Sequence, residues 1–270
     1  MRTTLAIISA ALLCRCNKTA SLPAYNTDPV VSAYLYAGHT FTMQLSHQQS
    51  TSSITYDAPS VDSLAVTIQC GDTVYHLTPA PNGMYSDSTL IVKPGSTYTL
   101  SFPYNGKTVT ATTTVPALPT SFTQSVTSVS IEQVTTTGST PGFGPGNQGT
   151  PNELTWDYAT GAYYVVVVTN TEVSPEKIYD TVSTSTDTGR VFRNSPVTSG
   201  SYVINDRMFK YYGTHRIVLY RILPDFSLLY DMSSGTASQS LTTFSTGISN
   251  GVGIFTGISS DTLYMSVVKK

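Results

Sequence analysis

Hydrophobic and polar residues alternate with a period of two along most of this chain, in short runs closed by Gly, Pro, Asn or Asp. The clearest run is Lys93–Pro116. Pro94-Gly95 turns the chain, and Tyr98, Leu100 and Phe102 then alternate with Thr97, Thr99 and Ser101. Asn105-Gly106 follows, a dipeptide that tolerates the positive φ of a tight two-residue hairpin. Val109, Ala111, Thr113 and Val115 alternate on the return, and Pro116 stops it. This pattern predicts a β-hairpin with one buried face.

The same grammar runs through the flanking residues. Val31, Ala33 and Leu35 alternate, Gly38 breaks the run, and Phe41, Met43 and Leu45 alternate again before a polar loop at 46–60. Leu64–Cys70 and Thr73–Leu77 are predicted strands around Gly71-Asp72, and Met84–Val92 leads into the hairpin. Regularly spaced short strands of this kind predict a β-sandwich of immunoglobulin-like or transthyretin-like build over residues 30–117. Residues 118–270 predict a second sandwich, fibronectin III-like. Its expected strands are Glu153–Tyr158, Ala162–Asn170, Tyr211–Leu223 with Ile217 and Leu219 inward, and a last strand carrying Leu263, Met265 and Val267. A Gly/Pro-rich loop at 138–151 and a polar tip at 183–189 interrupt it. Trp156, the sole tryptophan, is expected in the core. No amphipathic helix of convincing length and no solenoid repeat is present. The expected fold is all-β, with two sandwich domains.

Composition sharpens the fold and narrows the location. Charged residues make up 11%, against roughly 25% in an ordinary soluble domain. The 34 Ser and 43 Thr take their place, and 18 Tyr add further strand-forming residues. A net charge of −2 without a Lys/Arg cluster gives no footprint for nucleic acid. Arg2, the short apolar segment Leu5–Leu13 and the following Cys14 and Cys16 read as an export signal over 1–16. Nine apolar residues are too few to span a bilayer. Cys16 is the expected lipid attachment site, with Cys14 the alternative, and 17–29 is a polar tether to the membrane. The competing reading is an ordinary signal peptide cleaved near Ala20 or Ala24. Cys70, at the end of an alternating run, is expected as a small buried hydrophobe.

Several motifs resemble catalytic signatures without the context their chemistry needs. Gly144-Pro145-Gly146-Asn147-Gln148-Gly149 has dinucleotide-loop spacing, but prolines interrupt it and a strand follows where a helix N-terminus should meet the pyrophosphate. Gly247-Ile248-Ser249-Asn250-Gly251 has nucleophile-elbow spacing, yet no helix follows and the last histidine, His215, precedes Ser249. Asp187-Thr188-Gly189 lacks the second carboxylate triplet an aspartic protease requires. His39, His47, His76 and His215 form no metal-ligand pair, so neither a metal nor a cofactor is expected. Tyr104, Tyr158, Tyr163, Tyr164, Tyr211 and Tyr212 are candidates for an exposed aromatic platform, weighed against ordinary packing.

Asp28-Pro29-Val30-Val31 with the strand Ala33–Tyr36, Gly83-Met84-Tyr85, the run Pro94–Leu100, the exit Val109–Pro116, Tyr212-Gly213 and the segment Ser249–Phe255 occur in a characteristic order. In these features, over most of 28–257, the chain resembles the Bacteroidota lipoprotein family known as domain of unknown function 4249. Val252 stands where that family commonly has a further glycine, and Arg15 is bulkier than the residue expected before a lipidated cysteine. The resemblance implies an outer-membrane-anchored envelope lipoprotein, facing the periplasm or the cell surface, associated with nutrient import through TonB-dependent receptors. It implies no catalytic residues. The expected function is thus a non-enzymatic accessory or ligand-binding module of an outer-membrane transport assembly, its ligand unspecified. The alternative is a fimbrillin-like structural or adhesion subunit, with Leu263–Val268 as the candidate donated strand. A hydrolase using Ser249 stands third. Gly251, Gly253 and Gly257 around Ile254-Phe255 are expected to permit close backbone approach while both apolar side chains plug the core.

Overall fold

The computed structural model describes residues 28–48, 60–134, 151–179, 190–232 and 247–270. The export signal with Cys14 and Cys16, nearly all of the tether, the glycine loop 144–149 and Asp187-Thr188-Gly189 lie outside the described residues. Among the described residues the chain is all-β apart from one short helix and one 3-10 turn. In chain order the strands are β1 (Pro29–Tyr36), β2 (Thr40–His47), β3 (Thr67–Cys70), β4 (Thr73–His76), β5 (Thr78–Ala80), β6 (Met84–Ile91), β7 (Thr97–Tyr104) and β8 (Lys107–Thr114). Then come β9 (Thr123–Gln124), β10 (Ser128–Ile131), β11 (Asn152–Thr155), β12 (Tyr163–Asn170), β13 (Val191–Arg193), β14 (Ser201–Ile204) and β15 (Gly213–Ile222). Helix α1 (Pro224–Met232), β16 (Ile248–Ser249) and the long β17 (Val252–Lys269) complete the described elements.

The hairpin forms as its pattern predicts. β7 and β8 pair from Thr97↔Thr114 to Tyr104↔Lys107, and Asn105 and Gly106 take φ of 47° and 74° at the turn. Tyr98, Leu100, Phe102, Val109, Ala111 and Val115 are buried. On the opposite face the hydroxyls of Thr97 and Thr114 lie 2.8 Å apart and those of Thr99 and Thr112 3.2 Å apart. Such cross-strand pairs each stabilise a sheet by roughly 0.2–1 kcal/mol, which gives the threonine-rich composition a structural use. The hairpin belongs to a sheet of order β16-β8-β7-β3-β4. That sheet packs on β17-β1-β2-β6-β5 around a core that includes Leu35, Phe41, Leu45, Ile68, Tyr85 and Leu100. Cys70 is half-buried at the rim of this core rather than inside it, because β3 ends there and Gly71 turns away.

A second core, with Leu154, Trp156, Tyr164, Val166, Ile217 and Leu219 among its residues, lies between β14-β11-β9 and the strands β13-β12-β15-β17. The two sandwiches are not separated by a single cut between 117 and 118. Residues 248–258 return to the first: Ile248 pairs with Ala111, and Val252–Ile258 run parallel to Val30–Tyr36. β17 then continues into the second, antiparallel to β15 from Ile258 to Val267 and parallel to β10 at Ser266–Lys269. One large sheet, β13-β12-β15-β17-β1-β2-β6-β5, therefore backs both cores. An 18-residue strand at roughly 3.3 Å per residue is about 60 Å long.

Gly253 lets β17 lie on β1, and Gly257 lets it approach the chain just after β8. A Cβ on Gly253, at φ 112°, would stand 2.0 Å from the Val31 carbonyl oxygen, and one on Gly257 would stand 2.5 Å from the Val115 Cα. Phe255 enters the first core at 3% exposure, whereas Ile254 is only half-buried. The expectation that both side chains plug the core fails for Ile254, since consecutive residues of a strand face opposite sides. Leu263–Val268 belongs to the chain's own sheet: Leu263–Val267 pair with β15, and Ser266–Lys269 pair with β10 on the other side.

Helix α1 lies on the opposite face of the large sheet, over the junction. Phe226 meets Tyr34 edge-on at 5.6 Å, and the Thr256 hydroxyl donates to Asp225 at 2.9 Å. They cover Ile222, Ile258 and Val165, a small third apolar cluster. Pro224 at the first helical position and Asp225 in the first turn are favourable start signals. At nine residues the helix falls below the length at which periodicity stands out.

Candidate functional site

Ser249 is exposed on the two-residue strand β16 and followed by Asn250 in the left-handed region, then by β17. That is a strand–turn–strand, without the helix a nucleophile elbow needs. His215 belongs to the second core and Ser249 to the first sandwich, so the two are not brought together. His39 and His76 are exposed, and His47 pairs its Nδ1 with the Tyr104 hydroxyl at 2.9 Å. Among the described residues no group of three or more His, Cys, Asp or Glu side chains gathers to hold a metal.

The six tyrosines do not form one platform. Tyr164, Tyr211 and Tyr212 are buried, Tyr104 and Tyr163 are half-buried, and Tyr158 alone is exposed, at 41%. The fully enclosed rings bind loops instead. The Tyr85 hydroxyl donates to the Val61 carbonyl and accepts from the Leu64 N–H. Tyr98 accepts from the Lys93 N–H at 2.7 Å, and Tyr212 donates to the Ile131 carbonyl at 3.0 Å. Each ring buries apolar area while its hydroxyl bonds a backbone group, in loops for Tyr85 and Tyr98 and at the end of β10 for Tyr212. Burial accordingly pushes the phenol pKa of Tyr85, Tyr98 and Tyr212 upward.

A cleft opens in the second sandwich between the edge strand of each sheet. β13 ends the large sheet and β14 ends the small one. β13 contributes Phe192, β14 contributes Ile204, and the 3-10 turn Asp206–Met208 with the next residue contributes Met208 and Phe209. Val168 of β12 and His215 of β15 complete the inner wall with Arg190, the one cation among the described residues that line it. The cleft is shallow, with about 10 Å³ of space that a water-sized molecule can occupy. Phe192 stacks on Tyr202 at 6.4 Å, joining the two edges at one margin.

The polar floor of this cleft is closed. His215, 4% exposed, meets the Gly213 carbonyl through Nδ1 at 3.0 Å and Asn170 Nδ2 through Nε2 at 3.4 Å. With Nδ1 donating and Nε2 accepting, both contacts suit the neutral imidazole. Burial lowers the His215 pKa below its ordinary value, partly opposed by the Gly213 carbonyl and the charge of Glu172. Asn170 also donates to the Tyr212 carbonyl and accepts the Glu172 N–H. Glu172 accepts the Thr214 N–H at 2.8 Å, and that bond with the Thr214 hydroxyl holds its carboxyl below the usual range. Arg190 Nη2 donates to the Glu172 carbonyl. Phe209 lies edge-on against His215 at 4.9 Å. In sequence none of these residues forms a motif; Asn170 and His215 meet only because β12 pairs with β15. Trp156 is in the core as expected, 5% exposed, and its Nε1 and the Nδ2 of buried Asn194 have no hydrogen-bond partner among the described residues.

No protein-family model matches the chain, and no curated protein matches it. Among solved structures, the FN1–FN3 domains of chicken CNTN1 are similar at 11% identity and a TM-score of 0.29, over 89% of this chain and 67% of that one. A set of titin domains is similar at 11% identity and a TM-score of 0.19, over 72% of this chain and 60% of that one. Likenesses this distant carry no argument about what the chain does.

Proposed function

We propose that this protein is a non-enzymatic envelope lipoprotein that holds a binding domain away from its membrane anchor, as an accessory module of an outer-membrane transport assembly. The observation that carries the reading is the direction of β1. It runs parallel to β17, with Val30 opposite Val252, so the chain enters at the end of the shared sheet remote from the second sandwich. An anchor at Cys16, or at Cys14, joined through 17–28 puts the second sandwich outermost, with the first sandwich as a spacer of about 20 Å along β17 from Val252 to Ile258. Two acyl chains suit a permanent anchor, because one short chain holds a protein only marginally. The order of motifs shared with the domain of unknown function 4249 lipoproteins supports the same reading. The separation of Ser249 from His215 supports a binding role over hydrolysis.

The test is the intact mass of the membrane-extracted protein and of a Cys16→Ala variant. A diacylglyceryl-type increment on a chain beginning at Cys16, lost in the variant, is the expected result. An unmodified chain beginning near Ser21 overturns the anchor and, with it, the transport-assembly role.

A further inference from the structure

We infer that Asn105 is a site of spontaneous covalent modification, at which the folded chain loses ammonia and gains an isoaspartyl or aspartyl linkage. The reaction needs neither a membrane anchor nor a partner. Its sequence requirement, Asn followed by Gly, is met three times, at Asn82-Gly83, Asn105-Gly106 and Asn250-Gly251. The fold treats the three differently.

The reaction joins the glycine nitrogen to the asparagine side chain. The Gly106 nitrogen gives up its proton to water and attacks Cγ of Asn105, closing a cyclic succinimide. The Cγ–Nδ2 bond breaks, and ammonia leaves with a proton taken from water. A second water then adds to one of the two ring carbonyls. Opening on one side gives aspartate, and on the other isoaspartate, whose main chain runs through Cβ. No oxidant, reductant or cofactor takes part. Glycine favours the step because it has no Cβ to hinder the approach of its nitrogen.

All three asparagines lie in the left-handed region, at φ of 63°, 47° and 58° in chain order. Each must leave that conformation before the glycine nitrogen reaches Cγ, so reactivity follows the ease with which each turn opens. Gly83 is buried, its N–H donates to Asp62 Oδ1 at 2.6 Å, and its carbonyl accepts the Leu45 N–H at 2.8 Å. The Asn82 carbonyl accepts from Gln44 Nε2 at 3.1 Å. Asn250 donates its Nδ2 to the Thr108 carbonyl at 2.8 Å. Its turn is held on both sides, by Ser249 paired with Thr110 and Val252 paired with Val30.

Asn105 and Gly106 differ on each count. Both are exposed, as are Lys107 and Thr108. The pair that closes the hairpin is Tyr104↔Lys107. Among the described residues no hydrogen bond engages the Asn105 side chain or the Gly106 N–H. A hairpin tip of this kind opens locally at little cost, whereas the two clamped turns open only with the strands around them. The isoaspartyl product inserts a methylene into the main chain of a two-residue turn. That loosens Tyr104↔Lys107, and with it the Tyr104 hydroxyl contact to His47 Nδ1 at 2.9 Å, which ties the hairpin to β2.

The experiment incubates the purified full chain in mildly alkaline buffer and follows the three Asn-Gly peptides by mass-spectrometric mapping. Electron-transfer fragmentation separates isoaspartate from aspartate. A parallel sample is held unfolded in urea. In the folded chain, conversion at Asn105 should outpace that at Asn82 and at Asn250 by about tenfold or more, a spread that modest differences in local opening produce. In urea the three rates should converge, because the reacting dipeptide is the same. Asn105 reacting no faster than the other two in the folded chain would overturn the inference. So would a lead of the same size in urea, because the difference would then belong to the flanking sequence and not to the fold. The comparison uses the unaltered chain, so no variant has to fold for it to decide.

Discussion

Phe255→Ala tests the claim that the end of the chain completes the beginning. Phe255 is 3% exposed and packs in a core whose other buried members all lie between Val31 and Val115. Truncation removes the ring and leaves a cavity bounded by strands that cannot collapse freely, because Gly253 and Gly257 already hold β17 against backbone atoms of Val31 and Val115. Phe→Ala in such a setting costs about 3–5 kcal/mol, a large fraction of the roughly 5–15 kcal/mol that holds a folded chain together. The two sandwiches share one sheet, so we expect them to melt as one unit. For a unit of this size each kcal/mol lowers Tm by about 2–4 °C, which predicts a fall of about 6–20 °C. The assay is thermal unfolding followed by far-UV circular dichroism and by Trp156 emission, with Ile254→Ala as the control on the opposite, half-exposed face. An unchanged Tm for Phe255→Ala, or an equal fall for both variants, would refute the packing argument. Two well-separated transitions would refute the single unit.

Further outcomes follow from the same geometry. Truncation after Thr262 removes Met265 and Val267 from the second core and the partner of β10; native Trp156 emission should be lost, and a truncated chain that keeps it would show Leu263–Val268 to be dispensable. His215 has its pKa lowered by burial, so the unfolded chain binds its proton more readily. The associated stability is present above about pH 6.5, the ordinary histidine value, and falls as pH drops below it toward the folded-state pKa. His215→Gln should flatten the Tm profile between about pH 7 and 5. An unaltered slope would mean that His215 does not set it. Asp87, Asp157 and Glu172, whose pKa values are lowered by hydrogen bonds, lose their contribution only at more acid pH, below about 4.

Alternation located the strands because most of their length has one buried face, and a side-chain period of two is then visible in the residues themselves. Tyr98, Leu100 and Phe102 are inside, and Thr97, Thr99 and Ser101 are not. The path of the chain between sandwiches was not legible on the same basis. Nothing in the alternation of Val252–Lys269 says that its first half pairs with β1 and its second with β15, because partner choice depends on residues far away in sequence. The signal that could have served was the glycine at 253. A position that excludes even a methyl group implies a neighbouring backbone. The cleft was illegible for a related reason: Val168, Ile204, Phe209 and His215 come from separate elements and look, one by one, like core residues.

Tyrosine marks where composition and architecture join. A chain with 18 tyrosines and 11% charged residues has few charged side chains with which to fix its loops. Lys269 with Glu176, both largely exposed, is of the kind that contributes about 0–1 kcal/mol. Tyr85 and Tyr98 perform the task by another route, each fixing a loop through a hydroxyl held at the margin of the core. Such contacts do not weaken with salt as surface ion pairs do. They tie those loops to the first core, and bracing of this kind is what the proposed spacer role requires. If the second sandwich meets a partner at the end of an acylated tether, a yielding junction would spread its position over tens of ångströms. A single strand shared by both cores, braced by α1 over Ile222 and Ile258, removes that freedom before any partner arrives, so none of the binding energy need be spent on ordering the two sandwiches.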